Sequence, residues 1–263
     1  MGVVNITPDS FYDGGKFLAA DAAIAQARRL AEEGAAILDI GAESTRPGAQ
    51  PVSEQEELAR LLPVLESIRG LPVPVSVDTR RPAVMRAVLA AGASMINDIQ
   101  ALSAPGALEA VAAGDCGVCL MHMQGEPGTM QHDPRYDDVV GEVSAYLAHR
   151  VNAAEAAGIA RTRIVVDPGI GFGKTVVHNL DLLRNLRRLA PGGLPLLAGL
   201  SRKSVLGELT GRAVGDRLAA SVAAALLAAR HGATILRVHD VAATRDALAV
   251  WGAIEGHRAG QGT

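Results

Sequence analysis

The sequence predicts an α/β chain that closes as a single (β/α)8 barrel. Three observations carry this reading. Eight short apolar segments read as strands, the stretches between them have helical spacing, and the alternation fills about 250 residues, the length such a barrel requires. A glycine just past a helix end stops it in the left-handed conformation. That punctuation recurs before five of the eight strands, at Gly34, Gly92, Gly114, Gly158 and Gly232.

Residues 2–7 form the first apolar run. Asp21 is placed to cap a helix ending near Glu33, and Gly34 then leads into a strand at 36–40. Ser53-Glu54-Gln55-Glu56 has the form of a capping box, and Leu58, Leu61, Leu62, Leu65 and Ile68 follow at helical spacing. A third strand spans 74–79. Pro82 suits a first helical turn, and Gly92 closes that helix ahead of a strand at 95–99. Strands at 117–122 and 164–167 flank a longer helix over 136–157. Runs at 196–201 and 235–239 complete the set, with a helix over 216–230 between them. Apolar runs of this length without alternation are typical of buried parallel strands. Strand count alone leaves a doubly wound open sheet as the second choice. No linker, low-complexity stretch or charge block interrupts the chain, so residues 1–263 read as one domain.

Composition narrows the function. With 49% hydrophobic and 20% charged residues the chain can bury a core. A net charge of −3 argues against binding nucleic acid by broad phosphate neutralisation. Three phenylalanines, three tyrosines and one tryptophan leave little for base stacking. Two cysteines, no secretory pattern at the first residues and no long apolar run point to a cytoplasmic protein outside the membrane.

Barrel active sites lie at the carboxyl ends of the strands. Here those ends supply Asn5, Asp39 with Glu43, Asp78, Asn97 with Asp98, His122, Asp167, Ser201-Arg202-Lys203, and Arg237 with His239 and Asp240. Nearly every strand delivers a polar group to one rim. Asp39 and Asp98 are expected to fix loops. Arg237 and His239, two apart on a strand, share a face. With Lys203 and the glycine-rich stretch 167–174 they suit an oxyanion or phosphate, at the loops where this fold customarily holds one. Asp78, Asn97 and Asp167 offer acceptors for a flat, NH-rich heterocycle.

Three motifs are decoys. Gly169, Gly171 and Gly173 before Lys174-Thr175 lack the spacing of a P-loop, and they miss the dinucleotide fingerprint because the third glycine comes one residue early. Cys116 and Cys119 are spaced like half of a zinc site, with His122 nearby. Three apart on a strand they face opposite ways, and no second pair exists.

Taken together, the motifs resemble dihydropteroate synthases, the sulfonamide-sensitive family of folate biosynthesis. The resemblance runs nearly end to end, through NITPDSFYDGG at 5–15, ESTRPG at 43–48, SVDT at 76–79, Asn97-Asp98, LMHMQG at 120–125, DPGIGFGK at 167–174, SRKS at 201–204 and RVHD at 237–240. It implies a transferase that joins 6-hydroxymethyl-7,8-dihydropterin pyrophosphate to p-aminobenzoate with release of pyrophosphate. By resemblance, Asp78, Asn97, Met121, Asp167 and Lys203 bind the pterin. Asn5, Thr45, Arg46, Arg237 and His239 cradle the diphosphate, and Asn5 also helps hold Mg2+. Phe11, Pro47, Phe172, Lys203 and Ser204 surround p-aminobenzoate. Sulfonamide binding and a homodimer are further implications, the dimer drawing on the Ala-rich helices at 218–227 and 242–254. The sequence departs from the family at Tyr12, where serine is common, and it begins at the first strand where relatives usually carry upstream residues. The alternatives are a pterin-dependent methyltransferase domain, which needs no diphosphate cradle, and a non-catalytic pterin-binding paralogue, which would be expected to lose residues such as Asn5 or Arg46.

Overall fold

A computed structural model describes residues 1–6, 15–44 and 52–255. Eight parallel strands lie among them: β1 (Gly2–Asn5), β2 (Leu38–Gly41), β3 (Val75–Asp78), β4 (Met95–Asp98), β5 (Gly117–Met121), β6 (Ile164–Asp167), β7 (Leu197–Ala198) and β8 (Ile235–Leu236). Strands β1 to β6 pair in sequence order, and β7 pairs with β8. Two bridges join these sheets, Val166 with Leu196 and Gly2 with Val238. Across the second, Val3 N–H donates to the Val238 carbonyl and Val238 N–H to the Met1 carbonyl, both at 3.0 Å. The first strand therefore meets the last, and the sheet is a closed barrel rather than an open one.

The helices follow the punctuation. They are α1 (Gly15–Glu32), α2 (Glu54–Ile68), α3 (Pro82–Ala90), α4 (Ala107–Ala112), α5 (Val139–Ala156), α6 (Val176–Arg184), α7 (Ser204–Thr210), α8 (Leu218–Arg230) and α9 (Val241–Ile254). Ser53 caps α2 through its hydroxyl, which accepts from Glu56 N–H at 3.2 Å, and Leu61, Leu65 and Ile68 are buried on that helix as their spacing requires. Leu62 lies at its exposed edge. Asp21 does not cap α1. The helix starts earlier, and Asp21 is an exposed residue inside it. Ala19 and Ala20 are strong helix formers that carry the helix back past the aspartate. Most strands are shorter than the apolar runs, while β6 matches its run and β2 begins later and extends to Gly41.

Strand alternation divides the core in two. Val4, Ile40, Val77, Ile96, Val118, Leu120 and Val166 pack outward with helix residues such as Leu30, Leu61, Val84 and Leu147. Met95, Cys119 and Leu197 face inward, with Met1, Val165 and Ile235 around them. This inner cluster plugs the floor of the barrel. Above it the inward positions turn polar, and that change of character begins the site.

Candidate active site

Strands β2 to β6 line the inner wall with three acids, an amide and a methionine. Register sets Asp78 of β3 beside Asn97 of β4, and Met121 of β5 beside Asp167 of β6. One layer deeper lies Asp39 of β2, completely buried. Arg237, two residues past the start of β8's last pair, reaches across the barrel to join them. Its Nε donates to Asp39 Oδ2 at 2.6 Å and its Nη2 to Asp78 Oδ2 at 3.2 Å. Asn97 Nδ2 donates to the same Asp39 oxygen at 3.3 Å. Asp39 Oδ1, Ser76 Oγ and Asn97 Oδ1 are buried and have no partner on the protein. Unmet buried acceptors are costly, so this wall is built for a ligand that brings donors.

Lys203 enters from the far side. The preceding Arg202 has φ +59°, a left-handed conformation that side chains rarely adopt. It is held by a two-pronged ion pair to Asp240, at 2.5 and 3.1 Å, and by Ser221 Oγ accepting from its N–H at 3.0 Å. Lys203 Nζ donates to the Ile170 carbonyl and stands 4.8 Å from the centre of the Phe172 ring. A Cβ at Gly199 would lie 3.7 Å from both Lys203 Nζ and Arg237 Cβ, so the two cations flank a glycine floor.

The charges oppose one another across this space. Burial drives the Asp78 carboxyl up to about 7, even against the nearby Arg237 guanidinium. Burial likewise raises Asp167, against the pull of Lys203 and of the Gly169 N–H that its Oδ1 accepts at 2.7 Å. Lys203 is brought down to about 8 by burial. Arg237 is also penalised by burial, but Asp39 and Asp78 more than offset it and keep its charge locked in place. The site is thus a set of partly neutralised acids between two cations.

The remaining expected residues fall at the rim. Asn5 ends β1 and is exposed. His239 is half-buried, with its Nδ1 3.0 Å from Ser201 Oγ and its N–H donating to that oxygen at 3.2 Å. Ser204, exposed, is the first residue of α7. Phe11, Thr45, Arg46 and Pro47 lie outside the described residues.

The model of one family, the pterin binding enzymes, matches residues 1–239. The chain belongs to the pterin-binding enzyme family. Among its relatives, the dihydropteroate synthase of Neisseria meningitidis serogroup B is 55% identical, over 97% of this chain and 92% of the relative. A structure of the Xanthomonas albilineans dihydropteroate synthase with 4-aminobenzoic acid is 57% identical, with a TM-score of 0.90 over 97% of this chain and 92% of the other. The Yersinia pestis dihydropteroate synthase in complex with a sulfonamide drug is 48% identical, with a TM-score of 0.92 over 97% and 94%.

In this pterin-binding enzyme Asp39 and Lys174 take places other than those their sequence motifs suggest. Asp39 was expected to fix a loop; it lies inside the barrel and anchors Arg237. Its place between Leu38 and Ile40, both in the outer core, is the signal that would have found it. Asp98 does fix its loop, accepting from the N–H groups of Gln100 and Leu102 at 2.8 and 2.7 Å. Lys174, which in sequence ends a false P-loop, is buried with its ammonium engaged by His122 and by the Gly169 and Phe172 carbonyls. Cys116 and Cys119 fall on opposite sides of β5, Cys116 in the outer core and Cys119 in the inner.

Proposed function

We infer that this chain catalyses the dihydropteroate synthase reaction, coupling a dihydropterin pyrophosphate to p-aminobenzoate with loss of pyrophosphate. One observation carries the reading: inward acceptors on Asp78, Asn97 and Asp167 face Lys203 across a barrel mouth whose chain is 55% identical, nearly end to end, to a dihydropteroate synthase. The two carboxylates would accept the ring N–H and exocyclic amine of the pterin, Asn97 Oδ1 would take a further donor, and Met121 would pack on the ring. A ring lacking those donors would leave buried acceptors unpaired, which is a strong basis for rejection.

Little base catalysis is required, since an arylamine is already a neutral nucleophile at pH 7. The barrier lies in separating the exocyclic methylene from the departing diphosphate. Arg237 and His239, with Thr45 and Arg46, would hold the diphosphate and stabilise the charge that grows on it. Phe172, Lys203 and Ser204, with Phe11 and Pro47, would surround the aryl ring, in the region where sulfonamides would compete.

The donor set suits Mg2+. Asn5 offers one carboxamide oxygen at the rim, and among the described residues no group of three His, Cys, Asp or Glu could hold a metal. Mg2+ is commonly held by one or two protein oxygens together with substrate phosphates, and Asn5 fits that arrangement. When bound there, the ion would neutralise charge on the leaving diphosphate. We further read residues 1–263 as one domain of a cytoplasmic homodimer. Two free buried cysteines support the compartment. An apolar surface from Leu209 to Ile254 supports the dimer. Among the described residues, no helix is long and apolar enough to cross a membrane.

Incubation with dihydropterin pyrophosphate, Mg2+ and labelled p-aminobenzoate is expected to give labelled dihydropteroate. Binding of the pterin without any such product would favour the non-catalytic paralogue.

A further inference from the structure

The loop after β6 is tied down at almost every backbone atom. Gly169 N–H donates to Asp167 Oδ1, Gly171 N–H to Asn179 Oδ1 at 2.7 Å, and Phe172 N–H to the Gly169 carbonyl at 3.0 Å. Lys203 donates to the Ile170 carbonyl, Gln131 to that of Gly171, and the Tyr136 hydroxyl to that of Gly173 at 2.9 Å. The Gly169 carbonyl takes a second donor, and the Phe172 carbonyl has a single one among the described residues. In both cases that donor is Lys174, whose Nζ lies 3.0 and 2.8 Å away. Its third direction is filled by His122 Nδ1, also at 3.0 Å. An ammonium has three donors, and here each has its acceptor.

This arrangement fixes chemistry on both partners. With Lys174 protonated, His122 Nδ1 accepts, so the imidazole is neutral and carries its proton on Nε2, although burial brings Lys174 itself down to about 7. Burial and the adjacent ammonium agree with this, lowering His122 to about 3. Lys174 itself is only 3% exposed, with its ammonium held by the loop and by His122, and its charge reaches the site only through its field on Asp167. What it controls is the loop. Gly169 sits so close to the end of β5 that a Cβ would fall 1.9 Å from the His122 carbonyl, and one at Gly173 would fall 2.4 Å from that of Gln124. Lys174 is the bolt through this junction. Outside it stand the Phe172 ring and the Ile170 carbonyl that together receive Lys203.

We propose that Lys174 is a positioning residue for aryl recognition, holding the loop after β6 so that Phe172 and the Ile170 carbonyl meet Lys203. The proposal rests on the synthase reading. It requires that removing the ammonium loosen the Phe172–Lys203 wall while leaving Arg237 and the acids of β2 and β3 in place. The p-aminobenzoate site should then suffer more than the pterin site or the departure of diphosphate.

The test compares Lys174→Met with the wild-type protein at a temperature where circular dichroism shows both folded. The KM for p-aminobenzoate is expected to rise about tenfold or more, with kcat falling by less than about threefold. Combined with Phe172→Leu the losses should not multiply, because both act on one wall. If Lys174 only stabilises the fold, the variant will melt earlier with KM unchanged, and its effect will multiply with that of Phe172→Leu. Either result overturns the proposal. Should the methionine variant not fold, Lys174→Gln keeps two donors and is expected to show the same KM bias in smaller measure. An independent reading comes from 15N resonances of the wild-type imidazoles. His122 is expected to stay in its Nε2–H form from pH 5 to pH 8, and titration near 6.5 would refute the hydrogen bond on which the argument stands. Wild-type protein that binds the pterin but makes no dihydropteroate would instead defeat the synthase reading, whatever Lys174 does to the loop.

Discussion

At the scale of single residues the site works by holding acids in a place where their charge is expensive. Asp167→Asn replaces an acceptor-only carboxylate with an amide that turns a donor toward the donors of the pterin. The loss is expected to be about 2–4 kcal/mol of pterin affinity, the range for a buried charge-assisted hydrogen bond. Calorimetry with unchanged affinity would remove Asp167 from the pterin site. The pH dependence follows from Asp78 and Lys203. A carboxyl raised to about 7 in the folded protein binds a proton more tightly there than in the unfolded chain, so its contribution to stability declines as pH rises from about 4 to about 7. A pterin donating N–H groups favours the ionised carboxylate. Binding should therefore release protons below pH 7, and affinity should climb with pH to that point. Lys203, brought down to about 8, loses its charge above this and reverses the trend. Pterin affinity is expected to peak between these two values, with enthalpies that depend on the buffer below the peak. A flat profile from pH 5.5 to pH 9 would mean that neither group titrates in the site.

At the scale of elements, glycines decide where the strands can deliver their side chains, but they do so in two different ways. Gly158, past the end of α5, has φ +92° with nothing within 4 Å of a Cβ. Gly169, past the end of β6, has φ +65° and the His122 carbonyl in the path of its Cβ. Gly158→Ala is expected to cost about 1 kcal/mol of stability, the backbone strain alone, and to leave activity intact. Gly169→Ala adds a collision with backbone that cannot turn aside. It should destabilise by more than that and depress activity as the Phe172 loop is pushed off β5. Denaturant titration with activity assays on both variants separates the two, and equal losses would show that the junction yields. The first of these roles was plain in the sequence, where a glycine after a helix and before an apolar run needs only local chemistry. The second was not, because the contact to β5 spans residues 122 and 169, and no local pattern encodes it. For the same reason Lys174 looked like a fragment of a nucleotide motif, and Asp39, inward by register alone, looked like a loop anchor.

At the scale of the whole molecule, the rim was legible because a barrel converts strand order into position, whereas closure itself rests on the bridge from Gly2 to Val238. Eight strands in parallel order put every strand end on one face, so Asp78, Asn97, Asp167, Lys203 and Arg237 could be gathered before any contact was known. What strand order cannot convey is how the gathered groups pair, and Arg237 shows it: assigned by resemblance to diphosphate, its Nε and Nη2 are engaged by Asp39 and Asp78. The outer surface poses the converse problem, since the described chain leaves some large apolar residues substantially exposed. Leu209, Val214, Leu218, Leu227, Val250 and Ile254 are all of this kind, and they fall on or beside α7, α8 and α9. Helices α8 and α9 pack on one another, which brings much of this surface together. Patches of this kind commonly mark an interface between subunits. Apart from Ser204, which opens α7, the described site residues stand at the strand ends and in the loops after them, so dimerisation through that surface is expected to serve stability and solubility. Leu227→Lys with Val250→Lys places charges where a homodimer would bury them, and desolvating unpaired charges is strongly unfavourable. Sedimentation velocity is expected to show the wild-type protein at twice the 27.1 kDa mass of the chain and the double variant at that mass, with pterin affinity unchanged. A wild-type protein sedimenting as a single chain at micromolar concentration would end the dimer proposal and leave the apolar surface to another partner.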